Sequence, residues 1–182
     1  MTGFVGRYEH LRTQELAAPA VLFVPAPHIV VAKFGNQLEA TTRGLEVAGQ
    51  LTPMPGWRLG GSYTAFHLTP KLAASSQDPS AAGEDGSAPR TQWQVRSAFS
   101  PGTRATLDAA IFRVGRLEQF DVDAYTRTDV NAEWQLTRNV SAMAIGQNLF
   151  DLAHAEFGGV GSFLLVTQVP RSASLRLRWT FR

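Results

Sequence analysis

Residues 122–136 set the pattern from which the rest of the chain can be read. Even positions carry Val122, Ala124, Thr126, Thr128, Val130, Ala132, Trp134 and Leu136, while odd positions carry Asp123, Tyr125, Arg127, Asp129, Asn131, Glu133 and Gln135. A β-strand sends successive side chains to opposite faces, so this segment has one apolar-to-neutral face and one polar, charged face. A helix would scatter both sets around its axis. The run is also long for a strand of a water-soluble protein, and it matches the roughly 9–11 residues of a membrane-crossing strand. The chain end repeats the rhythm: Leu175, Leu177, Trp179 and Phe181 alternate with Arg176, Arg178, Thr180 and Arg182. In a helix Leu175 and Leu177 would diverge by about 200°, which wastes the apolar set.

Further strands are predicted at residues 3–13, 37–51, 56–69, 90–100, 103–116 and 139–147. Leu45, Val47 and Leu51 oppose Glu46 and Gln50, and Trp93, Val95 and Phe99 oppose Gln92, Gln94 and Arg96. The 139–147 segment is ambiguous, because Val140 and Ala142 share one parity while Met143 and Ile145 share the other. A helix over 70–82 is permitted by the sequence but has no support in it. Short turns are predicted at 52–55, 100–102 and 136–139, the first two with proline or glycine. Long polar or Gly/Pro-rich connections are predicted at 16–36, 71–89 and 151–168, with an intermediate one at 115–121. If the last strand runs toward the short-turn side, every short turn falls on that side. Short periplasmic turns and longer outer loops are the arrangement of bacterial outer-membrane barrels. Trp57, Trp93, Trp134 and Trp179 all share the apolar parity, and three of them sit near short-turn or C-terminal strand ends, where an aromatic girdle belongs.

Composition narrows the classes. The 182 residues include no cysteine, so a disulfide framework and a thiolate metal site are both excluded. A formal charge of +2 without basic clusters argues against a nucleic-acid partner. Hydrophobic residues are 44% of the chain, yet no run approaches the roughly 18 apolar residues of a membrane-crossing helix. Alternating strands never produce such a run. The N-terminal sequence has no signal-peptide pattern, from which the start is expected to lie within a longer ancestral chain.

Taken in order, several segments resemble the C-terminal end of TonB-dependent outer-membrane receptors. They are Val122 through Asp129 and Val130, then Trp134, then Gly146-Gln-Asn-Leu-Phe-Asp151 with His154, Glu156 and Phe157. Val169-Pro-Arg171-Ser172 and the aromatic terminal strand follow. Upstream, Leu38-Glu39, Thr42-Arg43-Gly44-Leu45-Glu46, Pro53, Trp57-Arg58-Leu59 and Ser62-Tyr63-Thr64 look like a hairpin of such receptors. The resemblance spans residues 1–182 as one barrel segment. It implies an all-β, antiparallel transmembrane barrel of about 22 strands when whole, of which this chain supplies about eight, without the plug domain. It further implies an outer-membrane location, contact with outer-membrane lipid, folding by the barrel-assembly machinery and energisation through TonB. The implied ligand is a ferric siderophore or a similarly scarce nutrient.

The polar wall Asp123, Tyr125, Arg127, Asp129, Asn131 and Glu133 is expected to face the lumen, its charges pairing with arginines such as Arg104, Arg176 and Arg178. Leu175, Leu177, Trp179 and Phe181 are expected to form the terminal strand used in assembly. No enzyme is expected: nothing resembles a nucleophile elbow, and Gly158-Gly159-Val160-Gly161 precedes no helix. No histidine has a partner at a recognised metal spacing, and His154 with Glu156 reads as a solvated loop pair. No cofactor is implied. Two other readings compete. A small, self-closed eight-stranded barrel with a structural or adhesion role would pair its first and last strands. A soluble β-barrel would turn its apolar residues inward.

Overall fold

The computed structural model describes residues 1–16, 32–78, 81–158 and 166–181. Its strands are β1 (Thr2–Leu16), β2 (Ala32–Met54), β3 (Trp57–Leu72), β4 (Thr91–Phe99), β5 (Ala105–Val114), β6 (Tyr125–Gln135), β7 (Val140–Gln147), β8 (Ala153–Ala155), β9 (Gln168–Pro170) and β10 (Ser172–Trp179). Eight of them form one antiparallel sheet in the order β1-β2-β3-β4-β5-β6-β7-β10, and β8 pairs with β9 in a separate ribbon. The described residues contain no α-helix, only short 3₁₀ turns at Ala81–Gly86 and Glu118–Phe120. The chain therefore meanders, each long strand lying beside the next, as short turns require.

The register lines up an apolar row across β3, β4, β5, β6, β7 and β10 on one face. Trp57 lies opposite Phe99, Phe99 opposite Leu107, Leu107 opposite Ala132, Ala132 opposite Ala144 and Ala144 opposite Leu175. The next row reads Ala105, Trp134, Ala142 and Leu177. This settles the ambiguous strand: Ala142 and Ala144 of β7 share the face of Trp134, and Met143 falls opposite Glu133 on the other. That second face carries the row Gly60, Arg96, Ala110 and Asp129 and the row Ser62, Gln94, Phe112 and Arg127.

No second layer covers the apolar face among the described residues. Among the described residues the buried hydrophobic side chains are only Leu38, Ala40, Ala81 and Val122, while Trp134 is 59% exposed and Leu175 85%. An exposed apolar face of this kind marks a surface that meets lipid or another protein. The compact centre that a soluble barrel needs is not built.

All three short turns lie at one end of the sheet. In the β2–β3 turn Gly56 adopts φ +81°, a left-handed conformation that glycine takes without strain. Its carbonyl accepts the Ser100 N–H at 2.7 Å, docking this turn on the next one, and a Cβ at Gly56 would collide with the Ser100 carbonyl. The β6–β7 turn has neither proline nor glycine. Thr137 Oγ1 instead accepts the backbone N–H groups of Asn139 and Val140 at 3.2 and 3.1 Å, a hydroxyl standing in for turn chemistry.

At the opposite end the strands run further than the sequence suggested. β1 and β2 stay paired up to Leu16 opposite Ala32, so the two ends of the expected 16–36 loop, Leu16 and 32–36, are strand, and 17–31 lie outside the described residues. The 71–89 connection begins as strand to Leu72 and holds no α-helix among its described residues. It folds onto the tip of β1, where Ser76 and the Gln77 N–H donate to Glu15 and the Asp78 carboxylate accepts the Gln14 N–H. Two boundaries need correction. Val122 and Asp123 precede β6, because Val122 pairs with Leu117 in a bridge that closes the 115–121 connection and buries Val122. Phe181 lies beyond β10, although its ring stacks on Trp179 at 4.8 Å and the Thr180 N–H still donates to Asn139.

Candidate functional site

The densest polar arrangement stands at the loop-side end of β6. Strand alternation aims Tyr125, Arg127, Asp129, Asn131 and Glu133 to one side. After β7 the backbone swings through Asn148, which is fully buried with φ +53°, a left-handed conformation that asparagine tolerates better than most residues. Three hydrogen bonds fix the swing. The Asn148 N–H donates to Asp129 Oδ1 at 3.0 Å, its side-chain Nδ2 donates to the Val169 carbonyl at 3.0 Å, and the Leu149 N–H donates to the Thr128 carbonyl at 3.0 Å. The chain then returns as the β8–β9 ribbon, with His154 opposite Val169.

Charges gather where the ribbon crosses β6. Arg127 grips Asp129 on its own strand through Nε at 3.0 Å and Nη2 at 2.8 Å, a bidentate geometry. Its Nη1 reaches Glu156 at 3.9 Å. The His154 ring stacks on Tyr125 with centroids 4.0 Å apart and 12° between planes. Its Nδ1 lies 3.2 Å from Asp151 Oδ2, and Nε2 faces Glu156 at 3.5 Å without forming a hydrogen bond. A cleft of about 500 Å³ beside this cluster is lined by Asp121, Asp123, Tyr125, Phe150, Asp151 and His154, among others.

These contacts revise the sequence reading in two places, the ion-pair partners and His154. Asp123, Arg127 and Asp129 find partners in Arg116, each other and Glu156, not in Arg104, Arg176 or Arg178. An arginine can fold along its own strand to the residue two positions on, whereas Arg176 and Arg178 stand two strands away and Arg104 lies at the far, short-turn end of β5. Asn131 and Glu133 share the face but stand nearer the short-turn end, away from the cluster. His154 is not a solvated loop residue: its surface is only 7% exposed. Among the described residues no three or more His, Asp or Glu side chains group to hold a metal. Asn148 was the residue missed, and the Gly-Gln-Asn-Leu-Phe-Asp segment was its only signal. In the terminal strand Leu175, Leu177 and Trp179 share the exposed apolar face of β10.

No family model and no curated protein sequence matches the chain. Solved structures do. The pyoverdine outer-membrane receptor FpvA from Pseudomonas aeruginosa PAO1, bound to pyoverdine, superposes with TM-score 0.68 at 20% identity over 98% of this chain and 26% of its own. The ferric-catecholate import receptor Fiu from K12 E. coli gives 0.63 at 16% identity, over 97% of this chain and 24% of its own. The copper transporter OprC gives 0.63 at 15% identity, over 98% and 29%. The fold is that of a TonB-dependent receptor barrel wall. The chain spans about a quarter of the length of the receptors it matches. Read in that fold, the eight-stranded sheet is an open arc of such a wall, with β1 and β10 as its two edges.

Proposed function

We propose that the chain is a barrel segment of an outer-membrane TonB-dependent receptor, its apolar face against lipid and its polar face lining the interior. One observation carries this reading. Strands of one antiparallel eight-stranded sheet present an exposed apolar face, and the chain superposes over nearly its whole length on receptors about four times as long. The wall of Asp123, Tyr125, Arg127, Asp129, Asn131 and Glu133 then faces water and, in an intact receptor, a plug domain. Leu175, Leu177, Trp179 and Phe181 form the terminal segment presented to the barrel-assembly machinery. TonB supplies the energy in the complete receptor, and the cargo is a ferric siderophore or a comparably scarce metal complex. Support for that cargo is the pyoverdine and ferric-catecholate receptors among the structural neighbours.

A self-closed eight-stranded barrel draws no support, since β1 and β10 are opposite edges of the sheet. The DNA upstream of the Met1 codon tests the receptor reading. A continuation in some frame encoding further alternating strands and a plug is expected. An unrelated gene ending in a terminator, followed by a promoter serving this chain alone, overturns it.

A further inference from the structure

We infer that the apolar face carries, at its loop-side border, a subsite for the phosphate of an anionic lipid headgroup, built from Arg43 and His67. The inference rests on the membrane reading above and adds a partner to it. His67 stands ten residues beyond Trp57 on β3. At about 3.3 Å per residue and a strand tilt of 35–45°, those residues climb roughly 25 Å, the height of the apolar band of an outer-membrane barrel. With Trp57 at the short-turn interface, His67 therefore reaches the opposite headgroup layer.

Arg43 lies directly opposite His67, and Val5 opposite Arg43. The rank below is Leu45 and Ala65, and the one below that is Val47 and Tyr63, so an acyl chain would run down an apolar track under Arg43 and His67. The rank above is Thr41 and Thr69. Other charges nearby are already matched: Arg7 pairs with Glu9 at 3.3 Å, and Lys71 lies opposite Glu39. Arg43 and His67 thus present donors side by side with no carboxylate in the adjoining ranks. A phosphate between them accepts from both the Arg43 guanidinium and the His67 ring N–H, and the bond from the guanidinium is charge-assisted.

The test uses the full chain with Trp57, Trp134 and Trp179 replaced by phenylalanine, refolded in dodecylphosphocholine micelles. Trp93 remains as reporter, opposite Tyr63 and on the same face. Micelles are doped with phosphatidic acid or phosphatidylcholine, each with dibrominated acyl chains that quench tryptophan on contact. Phosphatidic acid is expected to quench about fivefold more efficiently at equal mole fraction, the gain of one basic side chain at a charged lipid surface. Arg43→Gln with His67→Gln removes the preference while both lipids still quench, and Arg43→Lys keeps most of it, which separates a lost phosphate contact from a misfolded sheet. Equal quenching by the two lipids in the parent chain, or a preference that survives the double substitution, overturns the inference alone. No quenching by either lipid overturns the membrane reading beneath it as well.

Discussion

Asp129 is the residue on which the loop-side end of β6 depends. Its side chain is 17% exposed and accepts from two arginine nitrogens and from the backbone N–H of Asn148. Asp129→Ala strands the Asn148 N–H and leaves the Arg127 guanidinium short of its main partner. Leaving a buried polar group without its partner costs about 1–3 kcal/mol, so a loss of about 2 kcal/mol is expected. Glu9→Ala is the contrast, since Arg7 and Glu9 are 73% and 54% exposed and solvent screens their pair. That change is expected to cost under about 0.5 kcal/mol. Urea unfolding in micelles, followed by tryptophan fluorescence, checks both, and equal small shifts would mean that the cluster does not hold the β7–β8 connection. Alternation alone put Tyr125, Arg127 and Asp129 on one face. It could not foresee their partners, because periodicity reports direction and not reach.

At the level of the strand, the two-faced register makes a sharper claim about neighbouring positions. Val130 and Asn131 are adjacent in β6, opposite Ala109 and Asp108 respectively, and they point to opposite faces. Val130 stands about 13 Å up the strand from Trp134, inside the apolar band rather than at its border. Val130→Lys is expected to cost about 2–4 kcal/mol, the penalty of a cation facing lipid near the midplane, whereas Asn131→Lys stays near zero in the aqueous interior. The yield of protease-resistant chain after refolding into dodecylphosphocholine micelles reports both, and matching yields would contradict the assignment of faces. Where the two faces differ in chemistry, as in β6 and β10, the sequence showed them directly. It could not do so in β7, whose residues are small or apolar on both parities, and there Trp134 and Leu177 on the flanking strands decide the matter. β8 and β9 are three residues each, too short for any alternation to register.

At the scale of the molecule, strand directions alone permit closure in two ways, and the chemistry of the polar face distinguishes them. β1 and β10 run antiparallel to one another, since seven antiparallel pairings separate them, so they could in principle pair and shut an eight-stranded barrel. Side chains must fill an eight-stranded interior, and the curvature required is much tighter than that of a receptor wall of about 22 strands. The polar face here carries Arg96, Arg127, Asp129 and Glu133, charges better suited to a wide aqueous lumen than to a packed one. Edges left open in lipid lose several kcal/mol for each unsatisfied backbone group, so the arc needs the remaining strands of a larger barrel to persist in a bilayer. Closed outer-membrane barrels characteristically resist dodecyl sulfate until heated and then change mobility. The chain alone, refolded in micelles, is accordingly expected to migrate at one position whether or not it is boiled. A faster unheated band at monomer mass would show β1 and β10 joined within one chain. The small closed barrel would then replace the receptor arc as the architecture of this protein.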